Sequence, residues 1–170
     1  MKMLAYKLPS LVTLLSLISC IHGPSLQETA ASDLDSKQEL IKLASDIQEA
    51  RDAQVDLLAD DYFRNAVEAF KKAQTNEAST QEVQETKMNL TKCRAYLAKA
   101  NASAKVARSY LDDVIEARKL AVAAKANFHF PQEFSDIDFR LIRAGHQVES
   151  FDYDPVIAHR IDIKVDYRRL

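Results

Sequence analysis

The residue best placed for chemistry in this chain is Cys20, one of two cysteines. It closes the stretch MKMLAYKLPSLVTLLSLISC, which has the layout of an export signal. Lys2 and Lys7 give a positive start. Leu8 to Ile18 give a short apolar segment interrupted by Pro9, Ser10, Thr13 and Ser16. That segment falls short of the roughly 20 apolar residues needed to cross a bilayer, and fits the apolar region of a cleaved leader. Ser19 places a small residue directly before the thiol.

Leu17-Ile18-Ser19-Cys20 resembles the lipobox of bacterial lipoproteins: an aliphatic residue, a tolerant position, a small residue, then cysteine. The resemblance implies diacylation of the Cys20 sulfur, cleavage before Cys20 and acylation of the new amino group. Residues 1–19 are then the signal peptide and 151 residues remain, enough for one ordinary domain. Losing Lys2 and Lys7 moves the net charge from −2 to −4. Such a balance favours neither nucleic acid, which selects a basic face, nor anionic headgroups. Membrane attachment would rest on the lipid, since one acyl chain binds marginally and several bind firmly. Ile21 is not the aspartate that retains lipoproteins at the inner membrane in some bacteria. The expected address is therefore the cell envelope, at the outer membrane facing the periplasm. With Cys20 acylated, Cys93 has no disulfide partner and reads as a small buried hydrophobe.

No other constellation points to catalysis. His22, His129, His146 and His159 form no metal-ligand pair at helical spacing, and two glycines cannot build a phosphate-cradling loop. Asp60-Asp61, Asp112-Asp113 and the pair Asp136 and Asp138 read as solvated surface charge. The expectation is no enzyme, no catalytic residue, no metal and no cofactor. The densest aromatic region is Phe128-His129-Phe130 with Phe134, Phe139, Phe151 and Tyr153. It reads either as packing between helices or as a groove for a partner helix, lined by Phe128, Phe130, Phe134 and Phe139.

The elements that position these residues are helices. Scarce glycine and abundant alanine, leucine, lysine, glutamate and glutamine predict an all-α chain. Residues 20–34 are small, polar and aperiodic and read as a flexible tether, ahead of a helical domain over 35–170. A first helix is expected from Asp35 or Ser36 to Leu58, burying Leu40, Leu43, Ala44, Ile47, Ala50, Val55 and Leu58, with Ser36 and Glu39 as a capping box. A bend near Ala59 leads to a second helix over 60–74 with the stripe Phe63, Ala66, Phe70, Ala73. After a polar loop capped by Ser79 or Thr80, one long helix runs from Thr80 to about Ala126. Its seam is Val83, Thr86, Leu90, Cys93, Leu97, Ala100, Ala104, Ala107, Leu111, Val114, Arg118 and Ala121, in alternating steps of three and four. A break at Phe128 to Pro131 precedes a helix carrying Phe134, Ile137, Leu141 and Ala144 and ending near Gly145 or a few residues later. Asp154-Pro155 opens a last helix with Ile157, Ile161, Val165 and Arg168. The alternation from Ile161 to Tyr167 fits a strand with almost equal force.

Asp46-Ile-Gln-Glu-Ala-Arg51 recurs as Asp113-Val-Ile-Glu-Ala-Arg118, 67 residues on. Allowing four extra residues around Phe128 to Pro131, Phe63, Ala66, Phe70 and Ala73 align with Phe134, Ile137, Leu141 and Ala144. The pattern reads as one helix-hairpin unit present twice, over about residues 40–75 and 107–145. The lipobox, Glu49-Ala50-Arg51, Glu116-Ala117-Arg118 and the stripe from Phe63 to Ala73 together resemble the helical bacterial lipoprotein family catalogued as "domain of unknown function 4398". That resemblance covers about residues 40–170 and implies an elongated bundle of helix hairpins, somewhat tetratricopeptide-like, around one long central helix. The glycine usual at the hairpin bend of that family is absent, with Asp60 or Asn127 in its place, and no peptidoglycan-binding module is recognisable. The expected function is a membrane-anchored, non-enzymatic envelope adaptor, held through Cys20 and acting through an envelope protein partner or self-association. The alternative is a carrier of a small apolar ligand or lipid between the helices. Replacing Cys20 by alanine is expected to abolish incorporation of labelled palmitate; labelling that persists in the variant would defeat the lipobox reading.

Overall fold

The computed structural model describes residues 36–77 and 83–170. Their regular structure is helical throughout: α1 (Ser36–Asp52), α2 (Val55–Leu58), α3 (Asp60–Glu77), α4 (Val83–Ala123), α5 (Ala126–His129), α6 (Pro131–Glu149) and α7 (Asp154–Arg169). The chain is all-α, as its composition predicts. The leader, the tether and the expected cap at Ser79 or Thr80 lie outside the described residues.

The spine is α4. Its 41 residues extend about 62 Å at 1.5 Å per residue. No glycine or proline interrupts it, and its seam is correctly read from sequence. Thr86, Leu90, Cys93, Leu97, Ala100, Ala104, Ala107, Leu111, Val114 and Ala121 are all buried, and Arg118 is half-buried. The small centre of the seam admits close neighbours. The helix α3 returns along α4 and contributes alanines of its own, Ala66, Ala69 and Ala73, beside Phe63. Two further helices follow α4 in parallel. From Glu39, which pairs with Arg94, to Ala53, whose carbonyl accepts from Arg108, α1 covers one stretch. From Tyr153, stacked on Tyr110 at 5.0 Å, to Lys164, which donates to Asp113 at 2.9 Å, α7 covers the next.

Several local expectations need correction. Glu39 does not close a capping box; it is buried and its carboxylate takes the Arg94 guanidinium from α4, with Nε at 3.1 Å. Ala44 faces solvent. The first helix breaks at Ala53 and Gln54 rather than running to Leu58. Gln54 adopts φ 58, ψ 30, and a single turn, α2, follows before a second break at Ala59. The helix α6 ends at Glu149, four residues past Gly145 and within the expected range. The last element is a helix and not a strand, but its expected face is wrong. Ile157, Ile161 and Arg168 are exposed, whereas Val156, Ile163 and Tyr167 are buried. Steps of seven and four put these three on one helical face, and the β-branched residues that mimic a strand are split between the two sides of the helix.

Gly145 shows how tightly the bundle is drawn together. A Cβ there would lie 2.8 Å from the Leu57 carbonyl oxygen and 2.9 Å from that of Leu58. Only glycine lets α6 sit directly on the turn of α2. Alanine would gain about 1 kcal/mol of intrinsic helix preference, but its methyl would have to push two backbone carbonyls aside, an overpacking cost of about 1–3 kcal/mol. Gly145→Ala is expected to lose about 1 kcal/mol net in urea unfolding; a variant as stable as the wild type would show that α6 does not approach α2 this closely.

Candidate functional site

Two kinks organise the surface, and their backbones match bond for bond at a spacing of 71 residues. Gln54 and Lys125 both take the left-handed conformation, with φ 58 and 62. Ala59 and Phe130 close the following turn with φ −150, ψ 54 and φ −131, ψ 58. The amides of Gln54 and Lys125 donate to Arg51 and Val122, those of Ala59 and Phe130 to Val55 and Ala126, and those of Phe63 and Phe134 to Ala59 and Phe130. The Glu-Ala-Arg segments are only 67 residues apart. The four extra residues therefore lie between Arg118 and Lys125, not around Phe128 to Pro131. Four residues are close to one helical turn, so Arg118 keeps its side of the helix. Arg51 stands over the Phe63 ring at 5.5 Å, and Arg118 over the Phe134 ring at 5.2 Å.

The first kink is covered by α6. Gly145 rests on its carbonyls, and the Glu149 carboxylate accepts from the amides of Asp61 at 3.4 Å and Tyr62 at 3.1 Å, capping α3. His146 Nε2 lies 3.2 Å from Asp60 Oδ2 and 3.9 Å from Asp61 Oδ1. Arg64 reaches the same aspartates at 3.3 and 2.5 Å. Asp60, Asp61 and His146 thus place three donor atoms within 4.8 Å of one another, a spacing compatible with a cation. Sequence reasoning missed this meeting because the residues lie more than eighty positions apart. In this arrangement the Arg64 guanidinium already pairs with both aspartates and offsets one of their two charges. Burial pushes the Glu149 carboxyl above its ordinary value, and the negative Asp61 adds to this, while the two amides and His146 pull the other way.

Among the described residues, no helix covers the second kink as α6 covers the first. Phe128 is 77% exposed and Phe130 45%, and α6 begins without a side-chain cap. Of the four phenylalanines expected to line a groove, Phe128 and Phe130 sit together on this kink and Phe139 is 65% exposed farther along α6. Phe134 turns inward. It is buried, meets the Tyr167 ring edge-on at 5.7 Å and lies beneath Arg118.

Around Phe134 the chain builds its most closely bonded polar cluster. Arg118 binds Asp138 through two hydrogen bonds, Nε to Oδ1 at 2.7 Å and Nη2 to Oδ2 at 2.8 Å. The Tyr167 hydroxyl donates to Asp138 Oδ1 at 2.5 Å. Burial opposes the Arg118 charge, but the hydrogen bond and charge of Asp138 outweigh it and raise its pKa. Burial, then Asp138, pushes the Tyr167 phenol upward. Asp138, read from sequence as surface charge, is instead the junction of α4, α6 and α7. Cys93 is fully buried, and burial pushes its thiol up to about 12, so it stays protonated and unreactive at neutral pH.

A further groove of about 260 Å³ between α6 and α7 is lined by Arg140, Arg143, His159 and Asp162 over Ala144 and Ile163. Leu17, Ile18, Ser19 and Cys20 lie outside the described residues, and no described helix is long and apolar enough to cross a membrane. No family model, no curated protein and no solved structure matches the chain.

The Glu149 cap predicts a pH effect of defined sign. A carboxyl whose folded pKa is raised contributes stability below its unfolded value, and loses it as pH rises through the folded value. Comparing wild type with Glu149→Gln in urea unfolding at a series of pH values isolates this contribution from that of the other carboxylates. From pH 4.5 upward, the advantage of wild type over the variant is expected to shrink. A difference independent of pH across the mildly acidic range would show that Glu149 does not cap α3 from a buried position.

Proposed function

We propose that this chain is a bacterial envelope lipoprotein, held at the outer membrane facing the periplasm by acylation of Cys20. Its helical body acts as a non-enzymatic adaptor. The observation that carries the adaptor reading is the second kink, where Phe128 and Phe130 stand in solvent on a turn whose counterpart is covered by a helix. Exposed aromatics held on a rigid backbone are the usual anchors of protein interfaces. The reading is supported by how the buried polar groups are used. Arg118, Asp138 and Tyr167 satisfy one another, and the Cys93 thiol is held protonated. The lipobox supplies the address, and the likeness to the domain-of-unknown-function-4398 lipoproteins supplies the class.

An anchored adaptor works by being held where its partner is, since tethering to a surface raises the effective concentration of both. The test is affinity capture of the intact lipidated protein from chemically crosslinked, detergent-solubilised membranes. A recurring envelope protein, either another polypeptide or a second copy of this chain, is the expected result. Phe128→Ser is expected to reduce its recovery about tenfold, the scale of losing one aromatic anchor. Equal recovery by the variant, or no protein captured by the wild type, would defeat the adaptor reading.

A further inference from the structure

The covered kink shows what the uncovered one lacks. Three residues at four-residue steps run along α6 toward the covered kink: Leu141 and Gly145, both buried, and then Glu149. Gly145 seats on the turn's carbonyls and Glu149 caps the helix beyond it. At the second kink, Phe128 occupies the position of Leu57 and Phe130 that of Ala59, while the first turn of α6 waits for a carboxylate. The outward face of α1 carries the same row at the same steps: Ile41, 73% exposed, then Ser45 and Glu49, both exposed.

We propose that α1 of a second copy of this chain docks across the second kink, placing Ser45 over the α5 turn and Glu49 at the N-terminus of α6. This rests on the adaptor reading and names its partner. Serine has the Cβ that Gly145 lacks, so α1 stands farther from this turn than α6 does from α2. The Phe128 and Phe130 rings, larger than Leu57 and Ala59, fill that gap. The charges are complementary. Glu49 and Asp52 lie on the docking face of α1, Lys125 stands at the kink, and the positive end of the α6 dipole faces the incoming carboxylate, with Glu133 the acid in that first turn. The contact is head-to-tail: it joins two different surfaces, so a pair held by one such contact still carries a free α1 face and a free second kink that can take further copies.

The test uses the full chain carrying Cys20→Ala, so that neither lipid nor the Cys20 thiol intervenes. Two variants with one added cysteine each, Ser45→Cys and Asn127→Cys, which leave Glu49 and Phe128 in place, are oxidised separately and as a mixture; Cys93 is buried and does not compete. Disulfide-linked dimers are expected in the mixture and not in either variant alone, and sedimentation of the Cys20→Ala chain without added cysteines is expected to show mass rising with concentration. Both Phe128→Ser and the charge reversal Glu49→Lys should weaken association about tenfold while leaving the helical circular dichroism unchanged. A chain monomeric at every concentration, crosslinks that form within one variant alone, or association insensitive to both substitutions would overturn the head-to-tail contact. So would Phe128-dependent flotation with anionic phospholipid vesicles in the absence of self-association, which would make lipid the occupant. A monomeric chain that still captures a different envelope protein through Phe128 would overturn this contact and leave the adaptor reading standing.

Discussion

Everything in this bundle depends on one constraint: α4 is a single uninterrupted helix whose buried stripe serves two sets of neighbours in succession. Its small seam residues, Ala100, Ala104 and Ala107, let helices approach closely but bury little apolar area of their own. The interface is therefore made by backbone proximity, where many weak dispersion contacts add, and by larger residues toward its ends, such as Leu90, Leu97, Leu111 and Val114. Because the stripe is continuous, α1 and α7 share the same spine at successive places along it. Arg94 and Arg108 receive α1, and Tyr110 and Asp113 receive α7.

Charged groups set the register of that packing. The Arg118–Asp138–Tyr167 cluster joins three helices through a bidentate pair and a phenolic hydroxyl, and the Phe134 ring lies against both Arg118 and Tyr167. A partly buried guanidinium tolerates only arrangements that satisfy it, so α6 and α7 have little freedom to slide along α4. The equivalent stacking of Arg51 on Phe63 lacks a carboxylate at the corresponding place, where Val67 stands. There, α6 supplies the polar closure from outside, through His146 and Glu149 on the N-terminus of α3. One kink is thus finished by the rest of the chain, and the other is left with its aromatics in water.

Much of the helical architecture is legible in the residues. The three-four alternation from Thr86 to Ala121 and the absence of breakers identify α4 and its buried face. Phe63, Ala66 and Ala73, like Phe134, Ile137, Leu141 and Ala144, identify the inner faces of α3 and α6. The failures share a physical cause. Gln54 and Lys125 hold left-handed conformations without being glycine, so no turn residue announces the kinks, and the cost of each falls on surrounding hydrogen bonds that sequence does not display. The face of α7 was misjudged because its β-branched residues occupy both sides, leaving packing against α4 to choose between them. Glu39, Asp138 and Glu149 looked like ordinary surface acids because their partners, Arg94, Arg118 with Tyr167, and the α3 amides, are distant in sequence.

By itself, then, the sequence determined what local chemistry can encode: an all-α chain, its long helix, and the inward stripes of its principal helices. Those follow from side-chain periodicity and from the order of residues along a short stretch. Only the tertiary structure decided that Phe134 belongs to the core while Phe128 and Phe130 face solvent, that Gly145 is a point of contact with α2, and that the two kinks differ in being covered. Each of those depends on which distant helix arrives at a given turn, and that is settled by how closely backbones can pack and which buried charges must be met, not by any neighbour in the sequence.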